Sequence, residues 1–388
     1  MTRLSRAQLQ ERNRARVLAA ALEEFAERGF RDAKIDAIAE RAELTRGAVY
    51  SNFPGKRALY FTVLADLAER APEPPDPDSN PGPNPEPSLT PREALGALAR
   101  AWLARLPLTT DGRHGLARIG VDLMPEILAD ERTRRPFAQL TKLNALLLGL
   151  ALERLRPPAT PGDRLVRVAE AALTTLHGAS RLAAAAPGFT DPFTIVGACE
   201  RLAGLDLDDG WPATPWIQRA RPADEAWSPP PVPDAVRAEP VRLTDDGDGV
   251  VAILGLHRLE AVEEAVRAAP PGAAITAVLV TGDPDELAPL ARLALADFCG
   301  CLRQAFPPSA WPRLRVVLDG SGTLAASAGV PAVSDATEVA VRVEAGRIVV
   351  RADGRGACHT AASTPGRAVA DEAGRPAPTR SSAPAPGR

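Results

Sequence analysis

Lysine is almost missing from this chain: Lys34, Lys56 and Lys142 stand alone, and arginine carries nearly all the positive charge. Cysteine is sparse, four in 388 residues, which excludes a disulfide framework. Aromatic residues make up only 4%. No charge-free apolar run reaches about 18 residues, so no membrane span is expected. The opening stretch MTRLSRAQLQERNRAR is basic and polar, so no signal peptide is expected, and the expected compartment is the cytoplasm. No fixed-period repeat occurs. A net charge of -3 excludes a uniformly basic nucleic-acid coat but leaves room for one basic face. What is present is a hydrophobic share of 45%, enough for packed cores rather than wholesale disorder. Proline, at 39 residues, is about twice as frequent as usual. The length predicts two or three domains.

Proline divides the chain. Residues 1–70 contain one proline, Pro54. Residues 71–91 read APEPPDPDSNPGPNPEPSLTP and cannot hold a helix, so they form a Pro-rich linker. Residues 92–206 are apolar at helical spacing. A second Pro-rich linker, 207–244, carries WPATPW and WSPPPVPD. From 245 to 360, short β-branched runs alternate with helical stretches. Residues 361–388 are a low-complexity, disordered tail.

In the first segment, Val17, Leu18, Ala21, Leu22 and Phe25 place one apolar stripe on a helix over 14–28. Gly29 stands where a C-cap glycine belongs. A second helix is predicted over 35–42, a tight connection at Glu43-Leu44-Thr45, and a third helix over 46–53 capped by the Thr45 hydroxyl. Pro54-Gly55 stops it, and a fourth helix runs over 56–69. Two short helices across a three-residue turn, buttressed by a longer one, follow the helix-turn-helix plan, whose second helix enters the major groove of DNA. Thr45, Arg46, Gly47, Tyr50, Ser51 and Asn52 should face outward. Gly47 permits close approach. Tyr50 and Ser51 can donate to phosphate oxygens, and Lys56 would meet a phosphate as a point charge. Arg46 suits a guanine edge and Asn52 an adenine edge. Residues 1–70 carry 13 Lys/Arg against 10 Asp/Glu, so binding would rest on the placement of charge rather than its bulk. The bland alternative is a small bundle with solvated charges and Tyr50 packed against the fourth helix.

The stretch from Arg14 to Leu64 resembles the DNA-binding domain of the TetR family of bacterial repressors. Within LTRGAVYSNFPGKRALY, Gly47, Tyr50, Phe53, Lys56 and Leu59 follow the family pattern in order. Two departures stand out. The family usually has a threonine just before the second helix, where this chain has Ala33-Lys34; Lys34 can reach the same phosphate, but the hydroxyl cap is lost. The position before Phe53 is often histidine, and here it is Asn52.

Helices are expected over 92–106, 116–128, 133–155, 163–186 and 191–205. The resemblance implies that 92–206 is an effector-binding and dimerisation body. It implies a homodimer joined through helices 133–156 and 163–185, and an apolar pocket for a small-molecule effector. Candidate lining residues are Trp102, Leu106, Ile119, Leu123, Met124, Leu147 and Leu176, with plain core the competing role for each. Two half-sites on DNA also require two reading heads. His177 reads as a core or interface histidine. His114, His177 and Cys199 lie too far apart in sequence to suggest a metal site, and no metal or cofactor is expected.

The third segment orders as strand (250–254), helix (259–269), strand (275–280), helix (285–306), strand (314–318), helix (323–328) and a hairpin of 338–343 with 347–351 around Glu344-Ala345-Gly346. That is an α/β layer. VVLDGSGTLAASAGV followed by AGRIVVRADG resembles a thioredoxin-like domain, without its chemistry. Thr281-Gly282-Asp283-Pro284 stands where Cys-x-x-Cys would be, and Ala336-Thr337 lacks the facing proline. Cys299 and Cys301 fall inside a helix, far from its N-terminus, and read as buried inert thiols. The expected fold class is therefore multi-domain: an all-α helix-turn-helix segment and helical body, followed by an α/β, thioredoxin-like domain. The expected function is a ligand-responsive homodimeric repressor that binds a palindromic double-stranded DNA operator and is not an enzyme. The alternative is a redox-responsive regulator using Cys299, Cys301 or Cys358, or a degenerate thioredoxin-like enzymatic or partner-binding activity in this C-terminal domain.

Overall fold

The computed structural model describes residues 5–70, 89–106, 119–156, 164–210, 218–243, 248–270 and 272–364. Residues 71–88 of the first expected linker and 365–388 of the expected tail lie outside them, as do His114 and the first residues of the helix expected over 116–128. Helix α1 (Arg6–Asp32) starts eight residues earlier than the apolar stripe suggests. Ser5 and Gln8 close a capping box there, satisfying two orphan amides at once. The helix breaks at Gly29 (φ 74°), a backbone that glycine adopts without a Cβ penalty. Then follow α2 (Ile35–Arg41), α3 (Arg46–Tyr50) and α4 (Lys56–Glu69).

The helical segment contains α5 (Pro91–Leu103), a 3-10 turn (Gly120–Asp122), α6 (Leu123–Leu128), α7 (Glu131–Arg154), α8 (Val166–Ala185) and α9 (Pro192–Leu202). Thr90 and Glu93 form the capping box of α5, with Pro91 at its first position. A Cβ on Gly149 of α7 would lie 2.9 Å from the Val166 backbone, so α7 and α8 touch main chain to main chain.

The third region contributes β1 (Arg221–Ala226), β2 (Val232–Asp234), β3 (Glu239–Val241), β4 (Gly249–Gly255), α10 (Ala261–Ala268), β5 (Ala274–Val280), α11 (Leu287–Ala305), β6 (Arg315–Leu318), α12 (Thr323–Ser327), β7 (Glu338–Glu344), β8 (Arg347–Asp353) and α13 (Ala357–Ser363). A six-stranded mixed sheet runs β1-β8-β7-β4-β5-β6. The pairs β4/β5 and β5/β6 are parallel; β4/β7, β7/β8 and β1/β8 are antiparallel. Alternate residues face opposite layers. Val250, Ala252 and Leu254 join the core under the helices, while Val251 and Ile253 join a second cluster with Trp227, Leu324 and Val330.

Two expectations need correction. Residues 218–243 are not a linker: β1 forms the sheet edge, and β2 and β3 pair as a hairpin beside β6. Buried Asp234 ties that hairpin down, accepting from the Val316 and Val236 amides and pairing with Arg237. The tail likewise begins later than 361, because α13 continues to Ser363. The third region also packs against the first two. One apolar cluster runs from Val17 through Leu147 to Ala362. Helix α11 packs along α4, α5 and α7. As a result α7 is buried within its own chain from Leu143 to Leu152, Leu150 alone being half-buried, so this stretch offers no free face to a second copy.

Candidate nucleic-acid interface

The α2–α3 unit is built from short-range bonds. Leu44 donates to the Ala39 carbonyl and Glu43 to that of Glu40, with Glu43 in the left-handed region (φ 49°). This is the geometry that ends a helix within one turn. The Thr45 hydroxyl accepts from the Ala48 amide at 3.2 Å and caps α3. Val49 and Phe53 turn inward and are buried. Lys34, Thr45, Arg46, Gly47, Tyr50 and Ser51 are exposed. The Arg46 guanidinium lies 5.6 Å from the Tyr50 ring centre and 3.4 Å from Asp36. Lys34 precedes α2 and provides no side-chain cap.

Two predicted contacts have other tasks in this structure. The Lys56 ammonium donates to the carbonyls of Phe30 (2.7 Å), Arg31 (3.1 Å) and Ala33 (3.1 Å), and sits 4.5 Å from the Phe30 ring centre. An ammonium has three N–H groups, and all three are taken, so Lys56 closes the end of α1 instead of pointing at a phosphate. Asn52, half-buried, donates its amide to the Ala48 carbonyl at 2.8 Å and is folded back on α3.

Sequence reading missed two supports. Arg14 of α1 stacks 4.4 Å from the centre of the Phe53 ring and donates to the Asn52 carbonyl, pinning the end of α3. Glu24, fully buried, faces Arg28 and Arg41 at 3.3 Å and accepts from the Lys34 amide, tying α2 to α1. A buried carboxylate requires such partners, but nothing in the pattern LEEF separates Glu24 from exposed Glu23.

The unit connects to the rest of the chain through α4. Tyr60 is buried against Phe25 and Phe30 and donates to the Ile119 carbonyl. The Phe30 amide donates to Asp122. In the helical segment, Ile119, Leu147 and Leu176 are fully buried, and Trp102, Leu106, Leu123 and Met124 are half-buried. Trp102 donates to Ser180 at 2.9 Å and meets His177 edge-on. Burial lowers the His177 pKa. A surface cleft of about 380 Å³ is lined by Thr90, Arg92, Arg156, Glu200 and Arg201 among others; none of the seven candidate pocket residues borders it. All four cysteines are buried. Burial pushes Cys199 and Cys301 up to about 11 and Cys299 up to about 12, and raises Cys358 as well. Among the described residues, no group of three His, Cys, Asp or Glu is placed to hold a metal ion, and no helix is long and apolar enough to cross a membrane.

The family model "Bacterial regulatory proteins, tetR family" matches residues 17–63. The HTH-type transcriptional regulator SrpR of Pseudomonas putida is 49% identical over 55 residues, 14% of this chain and 26% of that one. The uncharacterized HTH-type transcriptional regulator TtgW, also of Pseudomonas putida, is 46% identical over 65 residues, 17% of this chain and 48% of that one. The chain thus spans about a quarter and about half of the lengths of these relatives. The crystal structure of a TetR transcriptional regulator from Rhodococcus sp. RHA1 aligns with 50% of this chain and 94% of that chain, at 18% identity and a TM-score of 0.31. The helix-turn-helix of residues 17–63 thus matches the DNA-binding region of the tetR family of bacterial regulatory proteins.

Proposed function

We propose that the chain is a transcriptional regulator that reads duplex DNA with α3. The observation that carries this reading is the Thr45-capped helix with Arg46, Gly47, Tyr50 and Ser51 exposed and Lys34 beside them. Tyr50, Ser51 and Lys34 serve phosphates, and Arg46 serves a base edge once it leaves Asp36. Asn52 and Lys56 act inside the unit, holding it in shape. The test is selection of a duplex from a randomised pool, followed by fluorescence anisotropy. Tyr50→Phe should weaken binding to all sequences alike, while Arg46→Ala should also relax preference at one base pair, by about 1–3 kcal/mol. Equal affinity of the parent for the selected duplex and for random DNA would refute the reading.

The chain acts as a homodimer on a palindromic operator, since two half-sites need two reading heads. With the second half of α7 enclosed, the seam falls on α8 and α9. There, and in the connection between them, Gly178, Leu182, Phe189 and Phe193 are exposed, the last two at 72% and 85%. Exposed large apolar side chains side by side mark interaction surfaces. Sedimentation of Phe193→Asp should give a monomer where the parent gives a dimer. Repression relieved by a small-molecule effector rests on the family resemblance and on the half-buried Trp102–His177 neighbourhood. The buried thiols argue against the redox alternative, because thiolate chemistry needs a lowered pKa and access. The thioredoxin-like reading of the third region rests on the order of its strands and helices along the chain, and residues 281–284 hold no dithiol.

A further inference from the structure

We infer that Arg57, Glu286 and Arg292 are positioning residues for DNA binding, through which the third region fixes the pose of the helix-turn-helix. The inference rests on the DNA-binding reading above. Helix α4 is the continuous link between the reading unit and the rest of the chain, and it is held at both ends by one helix of the third region. At its N-terminal end, Arg57 pairs with Glu286, the residue that precedes α11, and with Asp130, the cap of α7, at 3.0 Å. At its C-terminal end, Arg292 of α11 meets Asp66 at 3.0 Å and Glu69 at 2.9 Å. Between these clamps α4 is buried without interruption from Ala58 to Ala65, which requires neighbours on every side. Lys56, next to Arg57, grips the end of α1. The contact of the third region with Arg57 and the grip of Lys56 on α1 therefore sit on adjacent residues at the start of α4.

None of the three residues lies on the outer side of α2–α3, so their effect on DNA runs through α4. A loosened α4 leaves the reading unit with more orientations to lose on binding, and ordering it then opposes association. Regulation would consist of anything that moves α11 relative to α4, whatever the ligand or partner of the third region.

The experiment uses the full chain and a duplex that it selects from a randomised pool, titrated by anisotropy at several salt concentrations. Arg292→Ala and Glu286→Gln should each weaken affinity by at least about fivefold, with the salt slope unchanged because no phosphate contact is lost. Arg292→Lys, which keeps the charge, should stay within about twofold of the parent. Affinity within about twofold for both Arg292→Ala and Glu286→Gln, with native circular dichroism, would show that the clamp is packing alone and overturn the proposal. So would a slope reduced by about one unit, the mark of a direct phosphate contact. Failure of the parent chain to select any duplex would overturn the DNA-binding reading itself, and this inference with it.

Discussion

Lys56 separates two accounts of the same residue. Lys56→Met keeps an unbranched stem beside Phe30 and removes the ammonium. Three donated bonds vanish. The Phe30 and Ala33 bonds are partly buried, whereas the bond to Arg31 is exposed and water replaces it. A hydrogen bond with a charged partner contributes about 1.5–3 kcal/mol. The two sheltered bonds share one donor group, so their sum does not double, and the ring contact adds about 0.5–1 kcal/mol. The expected destabilisation is about 3 kcal/mol, near the upper end for a single substitution. In urea this moves the midpoint down by about 1 M or more, followed by far-ultraviolet circular dichroism. In DNA titrations below the unfolding range, the salt slope should match that of the parent. A phosphate contact at Lys56 would instead reduce the slope by about 0.9 and leave the urea midpoint in place. That second pattern would refute the assignment of Lys56 to the end of α1.

Gly149→Ala should destabilise by about 1–3 kcal/mol, since the new methyl meets the Val166 backbone and no flexible side chain can yield; Gly178→Ala, which meets nothing, is the control in the same urea series. Burial pushes Glu264 up from 4.5 to about 7, with Glu338, Glu260 and Glu263 adding to the rise and Arg258 opposing it. The folded chain holds this proton more tightly than the unfolded one, so its contribution is full below about pH 4.5 and is lost as pH rises through about 7. Glu264→Gln should therefore be more stable than the parent at pH 8 by about 1–2 kcal/mol and nearly equal at pH 4.5, the partial exposure of the site reducing the full linkage value. Ellman's reagent should find no reactive thiol in the native chain and four after unfolding in urea; fast reaction of even one in the native state would reopen the redox alternative.

The helix-turn-helix was legible because each signal is local: the stripe Val17 to Phe25, Gly29 at the break, the Thr45 cap and the Pro54-Gly55 stop. The five strands from 249 to 353 were legible for a similar reason, being short β-branched runs between turn residues. The early start of α1 had a signal that went unused, the Ser5-x-x-Gln8 spacing of a capping box. The strands within 218–243 did not stand out because proline argues against strands. Here Pro222 lies on the edge strand, and Pro233 faces Pro240 across a two-stranded hairpin, positions where a missing N–H does little harm. The role of Lys56 had no local signal, since its partners lie more than twenty residues away on α1.

The third region packs against the first two segments for a reason that α11 carries in its own composition. A helix lying on one sheet buries one stripe and shows polar residues opposite. In LAPLARLALADFCGCLRQA, twelve of nineteen residues are buried, among them Leu287, Leu290, Leu293, Leu295, Phe298 and Leu302. Those positions span more than half of the helix circumference, the pattern of a helix enclosed on more than one side. The neighbours are enclosed as well: Ala58–Ala65 of α4 and Leu143–Leu152 of α7 are buried, Leu150 alone being half-buried, and α11 packs on both. Three apolar helices from three segments thus satisfy one another. Residue counts and proline breaks divide a chain by its connections, whereas α11 belongs by packing to the helical body and by sequence to the sheet.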